Sequence, residues 1–100
     1  MSYHVEITER AERAAREIVI WIADYSPEKA TDWYMDFLEA VESLETFPAR
    51  CAIIPEYEGQ PVFRHLIFGK YRIIFRIEDE AVYIVHVRHQ KQKPLNPEDI

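Results

Sequence analysis

Three arginines in the second half of the chain have the spacing of a ligand-binding cluster. Arg72 and Arg76 fall on one face of an alternating stretch, and Arg64 lies in the stretch before it. Guanidinium groups bind phosphate or carboxylate well, because they donate several hydrogen bonds in a fixed plane. We therefore expect Arg64, Arg72 and Arg76 to form a positive cluster. In the alternative, they solvate an exposed sheet face or pair with Glu78 and Asp79.

His89 is the best candidate for acid–base chemistry, because imidazole titrates near neutral pH. It ends the last apolar stretch, and Lys91 follows it closely. If the protein is an enzyme, we expect Arg72, His89 and Lys91 to be its catalytic residues, with Glu56 or Glu58 as the base. In the alternative, His89 is a surface residue that ends a strand.

His86 and Arg88 alternate with His89 along the same stretch, so only one of these two sets can line a given site. His86 and Arg88 should share a face with Arg72 if the strands pair in the required register. The sequence alone does not fix that register.

The remaining potential metal ligands do not form a recognisable site. His4, His65 and Cys51 are too scattered to match a zinc motif, so we expect no metal and no other cofactor. Cys51 is the single cysteine, which excludes an internal disulfide and is typical of a reducing compartment. We interpret it as a small, partly buried apolar residue.

Two stretches with helical spacing of apolar residues would position these side chains. Thr8 can cap a first helix at about residues 9–25. Ser26 can cap a second helix, whose apolar residues keep helical spacing as far as Phe47 and stop at Pro48. Because the connection is so short, we expect an antiparallel helix hairpin.

Alternating stretches predict four strands. A short strand falls at about residues 3–7, and three more fall at residues 62–68, 71–77 and 81–88, after an irregular loop over residues 49–61. We predict an α+β fold with an N-terminal strand, the helix hairpin and a three-stranded antiparallel meander. The helices should pack on one face of the sheet and leave the other accessible.

Length and composition indicate one domain over residues 1–100, with an extended tail from about residue 91. No stretch is apolar enough for a membrane span, and the first ten residues do not resemble a secretory signal, so we expect a cytoplasmic protein. The net charge is −6, with eleven acidic and four basic residues in the first 49. Such a chain is a poor general nucleic-acid binder, because phosphate attraction needs clustered basic residues.

The sequence resembles the RelE/ParE superfamily of toxins from type II toxin–antitoxin systems, over about residues 3–93. The most specific match is residues 64–77, an arginine-led strand, a glycine turn, then Tyr-Arg and alternating apolar residues. The end of the helix hairpin, residues 40–48, is also similar. The Val87-Arg88-His89 ending resembles the ParE branch, which we favour.

The resemblance implies a toxin that a cognate antitoxin protein holds inactive. In the ParE-like branch it inhibits DNA gyrase by binding, whereas in the RelE-like branch it is a metal-independent endonuclease that cleaves mRNA on the ribosome. After His89 this chain lacks the arginines and tyrosine of nuclease relatives, which favours gyrase. In a third alternative, the chain has lost toxicity and survives as a binding module.

Exposed aromatic side chains on the helix hairpin would suit a protein partner. Trp21, Trp33 and Tyr34 lie on or beside its apolar stripe. In this family such a patch would fit an antitoxin segment or a second toxin copy, giving a possible homodimer. We therefore expect a binding surface that includes Trp21 and Trp33 together with Arg64, Arg76 and Arg88. In the alternative, the aromatic residues are simply core.

Overall fold

The computed structural model describes residues 2–91. The predicted tail therefore lies outside the described residues except for Lys91. The elements in chain order are β1 (His4–Ile7), α1 (Glu9–Ala23), α2 (Pro27–Glu42), β2 (Arg64–Phe68), β3 (Tyr71–Glu78) and β4 (Ala81–His89). This order confirms the predicted α+β architecture. In residues 2–91, no helix is both long and apolar enough to cross a membrane.

The helices begin where their capping residues predict. The Thr8 hydroxyl accepts a hydrogen bond from the Ala11 amide at 3.3 Å, and the Ser26 hydroxyl accepts one from the Lys29 amide at 3.2 Å. Each bond satisfies an amide that has no partner within its own helix.

The second helix ends earlier than predicted. It stops at Glu42 and continues only as a short 3-10 turn, while Phe47 is exposed in a left-handed conformation with φ of 44°. Pro48 disfavours helical backbone in the residue before it. The Arg50 guanidinium then donates hydrogen bonds to the carbonyls of Thr46 and Phe47, at 2.6 and 3.1 Å, and fixes the turn.

The four strands form one open mixed sheet in the order β1-β4-β3-β2. The meander β2-β3-β4 is antiparallel as predicted, and β1 pairs parallel to β4 at the edge. Gly69 makes the turn between β2 and β3 with φ of 58°, which a residue with a Cβ atom rarely adopts. The parallel pairing ends at Ile7 opposite Ile84, so β1 covers only the first half of β4.

The core lies between the helices and one face of the sheet. Buried side chains from both layers form one cluster, which includes Ala11, Ala15, Phe37, Val41, Ile73, Phe75, Val82 and Ile84. We call the other side of the sheet the open face. It is only partly accessible, because residues 51–63, which we call the covering loop, bury Ile54 and Phe63 against Ile74 and Val85. The prediction of an accessible second face is therefore wrong for its centre.

Candidate functional site

Strand register decides which candidate residues share a face. Arg72 lies directly opposite Arg88, and Ile74 lies opposite His86, so Arg72, His86 and Arg88 all belong to the open face. His89 lies opposite Tyr71, which packs against the core on the helix side. Because neighbouring residues of a strand point to opposite faces, the side chains of Arg72 and His89 lie on opposite sides of the sheet. The structure therefore does not bring the two predicted catalytic residues, Arg72 and His89, together on one face.

On the open face, Arg72 forms a bidentate ion pair with Glu56 of the covering loop. Its Nη1 donates to Glu56 Oε1 at 3.1 Å, and its Nη2 donates to Oε2. The two side chains are only 11% and 15% exposed, so water screens the pair weakly. Glu56 thus reaches the sheet, whereas Glu58 is exposed.

His65 of β2 completes this cluster. Its Nδ1 lies 3.4 Å from Arg72 Nη1, and its position opposite Ile74 puts it on the open face. Burial lowers the pKa of His65 below its usual value, and the positive charge of Arg72 lowers it further, against a smaller opposing effect of Glu56. His65 is therefore neutral at physiological pH.

The other two arginines of the predicted cluster lie elsewhere. Arg64 is opposite Phe75, on the helix side, and its Nη1 donates to the carbonyls of Cys51 at 2.7 Å and Ala49 at 3.3 Å. It holds the start of the covering loop and does not join Arg72, so that prediction is wrong. Arg76 shares the open face, but its guanidinium stacks over the Tyr83 ring at 4.4 Å and pairs with Glu78 at 3.4 Å.

His89 belongs to a second region, a groove of about 330 Å³ between α1 and the half of β4 that β1 leaves uncovered. The groove is lined by Ala14, Glu17, Ile18, Trp21, Tyr71, His86, Val87, Arg88 and His89. The His89 ring meets Tyr71 edge-on at 5.2 Å, and its Nδ1 accepts a hydrogen bond from the Lys91 amide at 3.0 Å. The Lys91 side chain is exposed. Burial raises the pKa of Tyr71.

The two tryptophans play different parts. Trp21 is 57% exposed on the wall of the groove and meets Tyr25 edge-on at 5.4 Å. Trp33 is half-buried, stacks on Phe37 at 5.4 Å and contacts Phe68. Only Trp21 belongs to an exposed surface. Trp33, the other tryptophan of the predicted binding surface, packs against the core, because α2 turns that side chain toward the sheet.

The structure also gives roles to side chains that lie outside the Arg72 cluster and the groove. Arg50 and Arg64 bind backbone carbonyls and shape the loop around Cys51, which is buried. Burial raises the pKa of the Cys51 thiol, while both arginines lower it to a smaller extent.

His4 is exposed and pairs with Glu6 at 3.1 Å. In the described part of the chain, no group of three or more His, Cys, Asp or Glu side chains is arranged to hold a metal ion.

Comparison with known families identifies the fold. Residues 5–94 match the family described as the ParE toxin of the type II toxin–antitoxin system parDE. The chain belongs to the ParE toxin family. A search of curated proteins finds no significant match.

Solved structures of toxin–antitoxin systems share the fold of this ParE-family chain. The chromosomal ParDE system from P. aeruginosa superposes with a TM-score of 0.72 at 21% identity, covering 88% of this chain and 96% of that chain. The RelBE2 complex from Mycobacterium tuberculosis gives 0.61 at 22% identity, with 90% and 100% covered. The archaeal RelE–RelB complex from Pyrococcus horikoshii OT3 gives 0.63 at 22% identity, with 93% and 100% covered.

Proposed function

We propose that this ParE-family protein is a toxin that inhibits DNA gyrase by binding it, and that a cognate antitoxin neutralises it. The observation that carries the choice of gyrase over mRNA cleavage is the separation of Arg72 from His89 by the sheet register. General acid–base catalysis needs its groups within hydrogen-bond reach of one substrate. A protein that acts by binding needs no such assembly.

The ion pair and the covering loop on the open face also favour gyrase binding over mRNA cleavage. Glu56 binds both terminal nitrogens of Arg72, and the covering loop buries the centre of this face. While Arg72 is paired with Glu56, its guanidinium would not stabilise the developing charge of a phosphoryl transition state. The overall charge of −6 also disfavours attraction to ribosomal RNA.

The groove between α1 and β4 is the surface that we assign to target binding. It combines the exposed Trp21 with Ile18, Val87 and the half-buried His89. Aromatic side chains beside a concave apolar surface are typical of the residues that contribute most to protein–protein affinity. We propose that an antitoxin neutralises the toxin by covering part of the same surface.

A supercoiling assay with purified, antitoxin-free protein tests this function. Gyrase, relaxed plasmid and ATP are incubated with increasing protein, and we expect supercoiling to fall. The Trp21→Ala variant should inhibit at least about tenfold less, because losing one central aromatic contact costs on the order of 2 kcal/mol. Ile53→Ala, which alters an exposed apolar residue on the covering loop, is the matched control and should inhibit like the unaltered protein.

Unchanged supercoiling at protein concentrations well above that of gyrase would contradict the proposal. A parallel cell-free translation reaction then tests the RelE-like alternative. Loss of translation with cleaved mRNA, in the absence of any effect on gyrase, would make the protein a ribosome-dependent endonuclease.

A further inference from the structure

We propose that the exposed side of the helix hairpin is an interface through which two copies of this chain associate as a weak homodimer. We call this side the outer face, and its exposed residues are Arg13, Arg16, Ile20, Asp32, Tyr34, Met35, Asp36 and Glu39. None of them lines the groove that we assign to target binding. The inference therefore does not depend on gyrase being the target.

The α1 part of the outer face carries positive charge. Arg13, Arg16 and Ile20 follow one another at spacings of three and four residues, so they form one stripe along the helix. The two arginines pair with Glu9 and Glu12 of the same helix, at 3.4 and 3.1 Å, but all four side chains are more than half exposed. Such pairs contribute little to stability, because water screens them. The guanidinium groups can therefore turn toward the carboxylates of another molecule.

The α2 part of the outer face carries negative charge. Asp32, Asp36 and Glu39 follow one another at spacings of four and three residues, and the exposed Met35 lies among them. Across residues 2–91, these three carboxylates form no ion pair. Like charges at this spacing on one helix repel one another. This part of the face is therefore suited to a partner that brings positive charge.

Apolar side chains accompany both charged stripes. Val19 of α1 and Tyr34 of α2 line a groove of about 200 Å³ on this face, together with the charged residues Glu12 and Arg16. Ile20 and Met35, the next residues along the two helices, are each 60% exposed. Removal of these apolar side chains from water would drive association, and the charges would set its orientation.

A second copy of the chain supplies the charge that each stripe needs. If a two-fold axis runs along the hairpin, α1 of each copy lies antiparallel to α2 of the other. Arg13 and Arg16 of one copy then face the acidic stripe of the other, and the same contact is made twice in one interface. The grooves lined by Val19 and Tyr34 face each other at the axis.

The size of the outer face indicates a weak dimer. The 15 residues of α1 give a length of about 22 Å, and two packed helices are about 20 Å wide. Covering this face on both copies removes on the order of 900 Å² from water, which is typical of transient interfaces. We therefore expect a dissociation constant on the order of tens of micromolar.

Analytical ultracentrifugation of the purified, antitoxin-free protein over about 1–300 µM, a range that includes this constant, tests the interface. We expect the mass to rise from that of a monomer toward that of a dimer. Asp32→Arg with Asp36→Arg should weaken association at least about tenfold, because the two stripes then repel each other. Glu58→Arg with Glu80→Arg is the matched control, since it changes the net charge equally at exposed positions outside the hairpin. The control should associate at least as well as the unaltered protein.

A charge exchange between two variants tests the arrangement of the helices. Arg13→Glu with Arg16→Glu should also be largely monomeric over the same range. An equimolar mixture of this variant with the Asp32→Arg, Asp36→Arg variant should form dimers, because both contacts of the mixed dimer again join opposite charges. Dimers in the mixture would also show that both variants are folded.

Three outcomes would overturn the proposal. The unaltered protein could remain a monomer at every concentration, which would leave the outer face to a different partner. The two charge variants could associate as the unaltered protein does, or their mixture could stay monomeric. Ile20→Ser and Met35→Ser are milder changes on the same face that should also weaken association, and they cover the case in which a charge variant does not fold. Trp21→Ala, which alters the groove, should dimerise normally, so this test is separate from that of the proposed function.

Discussion

The ion pair between Arg72 and Glu56 is the interaction whose loss should matter most at a single residue. Arg72→Met leaves the Glu56 carboxylate largely buried without its partner, so we expect the free energy of unfolding to fall by about 3 kcal/mol. Replacing both residues, as Arg72→Met with Glu56→Leu, removes the buried charge and should restore most of that stability. Urea denaturation of the two variants measures the difference. An Arg72→Met variant as stable as the unaltered protein would contradict the expected role of this ion pair.

His65 should make the stability of the protein depend on pH. Its pKa is lowered in the folded state by burial and by Arg72, so the unfolded chain binds the proton more readily than the folded one. The contribution of neutral His65 to the free energy of unfolding is therefore fully present above the unfolded pKa of about 6.5. It is lost as the pH falls through the lower pKa of the folded state. His65→Gln should reduce this loss. Thermal unfolding between about pH 7 and pH 5 measures it, and parallel curves for the two proteins would contradict it.

Strand alternation correctly predicted a shared face for Arg72 and Arg76, but the sequence did not reveal the contacts of the predicted site residues. Arg72 and Arg76 were expected on one face because strands alternate, and they lie there. The partner of Arg72 depended on how an irregular loop folds back, and no periodic pattern encodes that. Arg64 was grouped with the wrong residues, because the register between β2 and β3 places it opposite Phe75.

At the scale of elements, the two tryptophans of the helix hairpin have different expected roles. Trp33 packs in the core, and Trp21 is expected to contact the target. Trp33→Ala removes a ring stacked on Phe37 in the core and should cost roughly 3 kcal/mol of unfolding free energy. Trp21→Ala removes a largely exposed ring and should change stability by less than about 1 kcal/mol, while it weakens target binding. Denaturation and the gyrase assay on both variants check this. A large loss of stability in Trp21→Ala would show that Trp21 is part of the core instead.

Capping residues and apolar spacing predict the order of helices and strands correctly. The errors concern the end of one helix and the pairing of one strand. Thr8 and Ser26 start the helices where predicted, because each side chain satisfies a helix amide. The end of α2 was placed too late, since apolar spacing continued to Phe47 although the backbone does not. The parallel pairing of β1 with β4 involves residues far apart in the chain, which local patterns do not reveal.

At the scale of the whole molecule, the sheet keeps two surfaces apart. The groove with Trp21 and His89 lies between α1 and the uncovered edge of β4, where it also includes His86 and Arg88, whereas the cluster of Arg72 with Glu56 lies on the open face. A nuclease would need the arginines of the open face, whereas a gyrase inhibitor would need the groove. Variants that alter one surface and spare the other therefore distinguish the two functions inside a cell.

Expression in a bacterial host, with incorporation of labelled thymidine and amino acids followed separately, makes this comparison. We expect the unaltered protein to stop DNA synthesis first, since supercoiling supports replication. The double variant Arg72→Met with Glu56→Leu, which keeps the fold without the charges, should arrest growth as the unaltered protein does. Trp21→Ala should arrest it far less, because the groove has lost its exposed ring.

The opposite result would support mRNA cleavage. If protein synthesis stops first and the double variant is harmless, the open face is where the chemistry occurs and Glu56 must leave Arg72 during the reaction. The abundance of each variant, measured by immunoblot, separates loss of function from loss of folded protein. Because Trp21 and Arg72 lie on opposite sides of one sheet, a single expression experiment distinguishes the two surfaces without knowledge of the antitoxin.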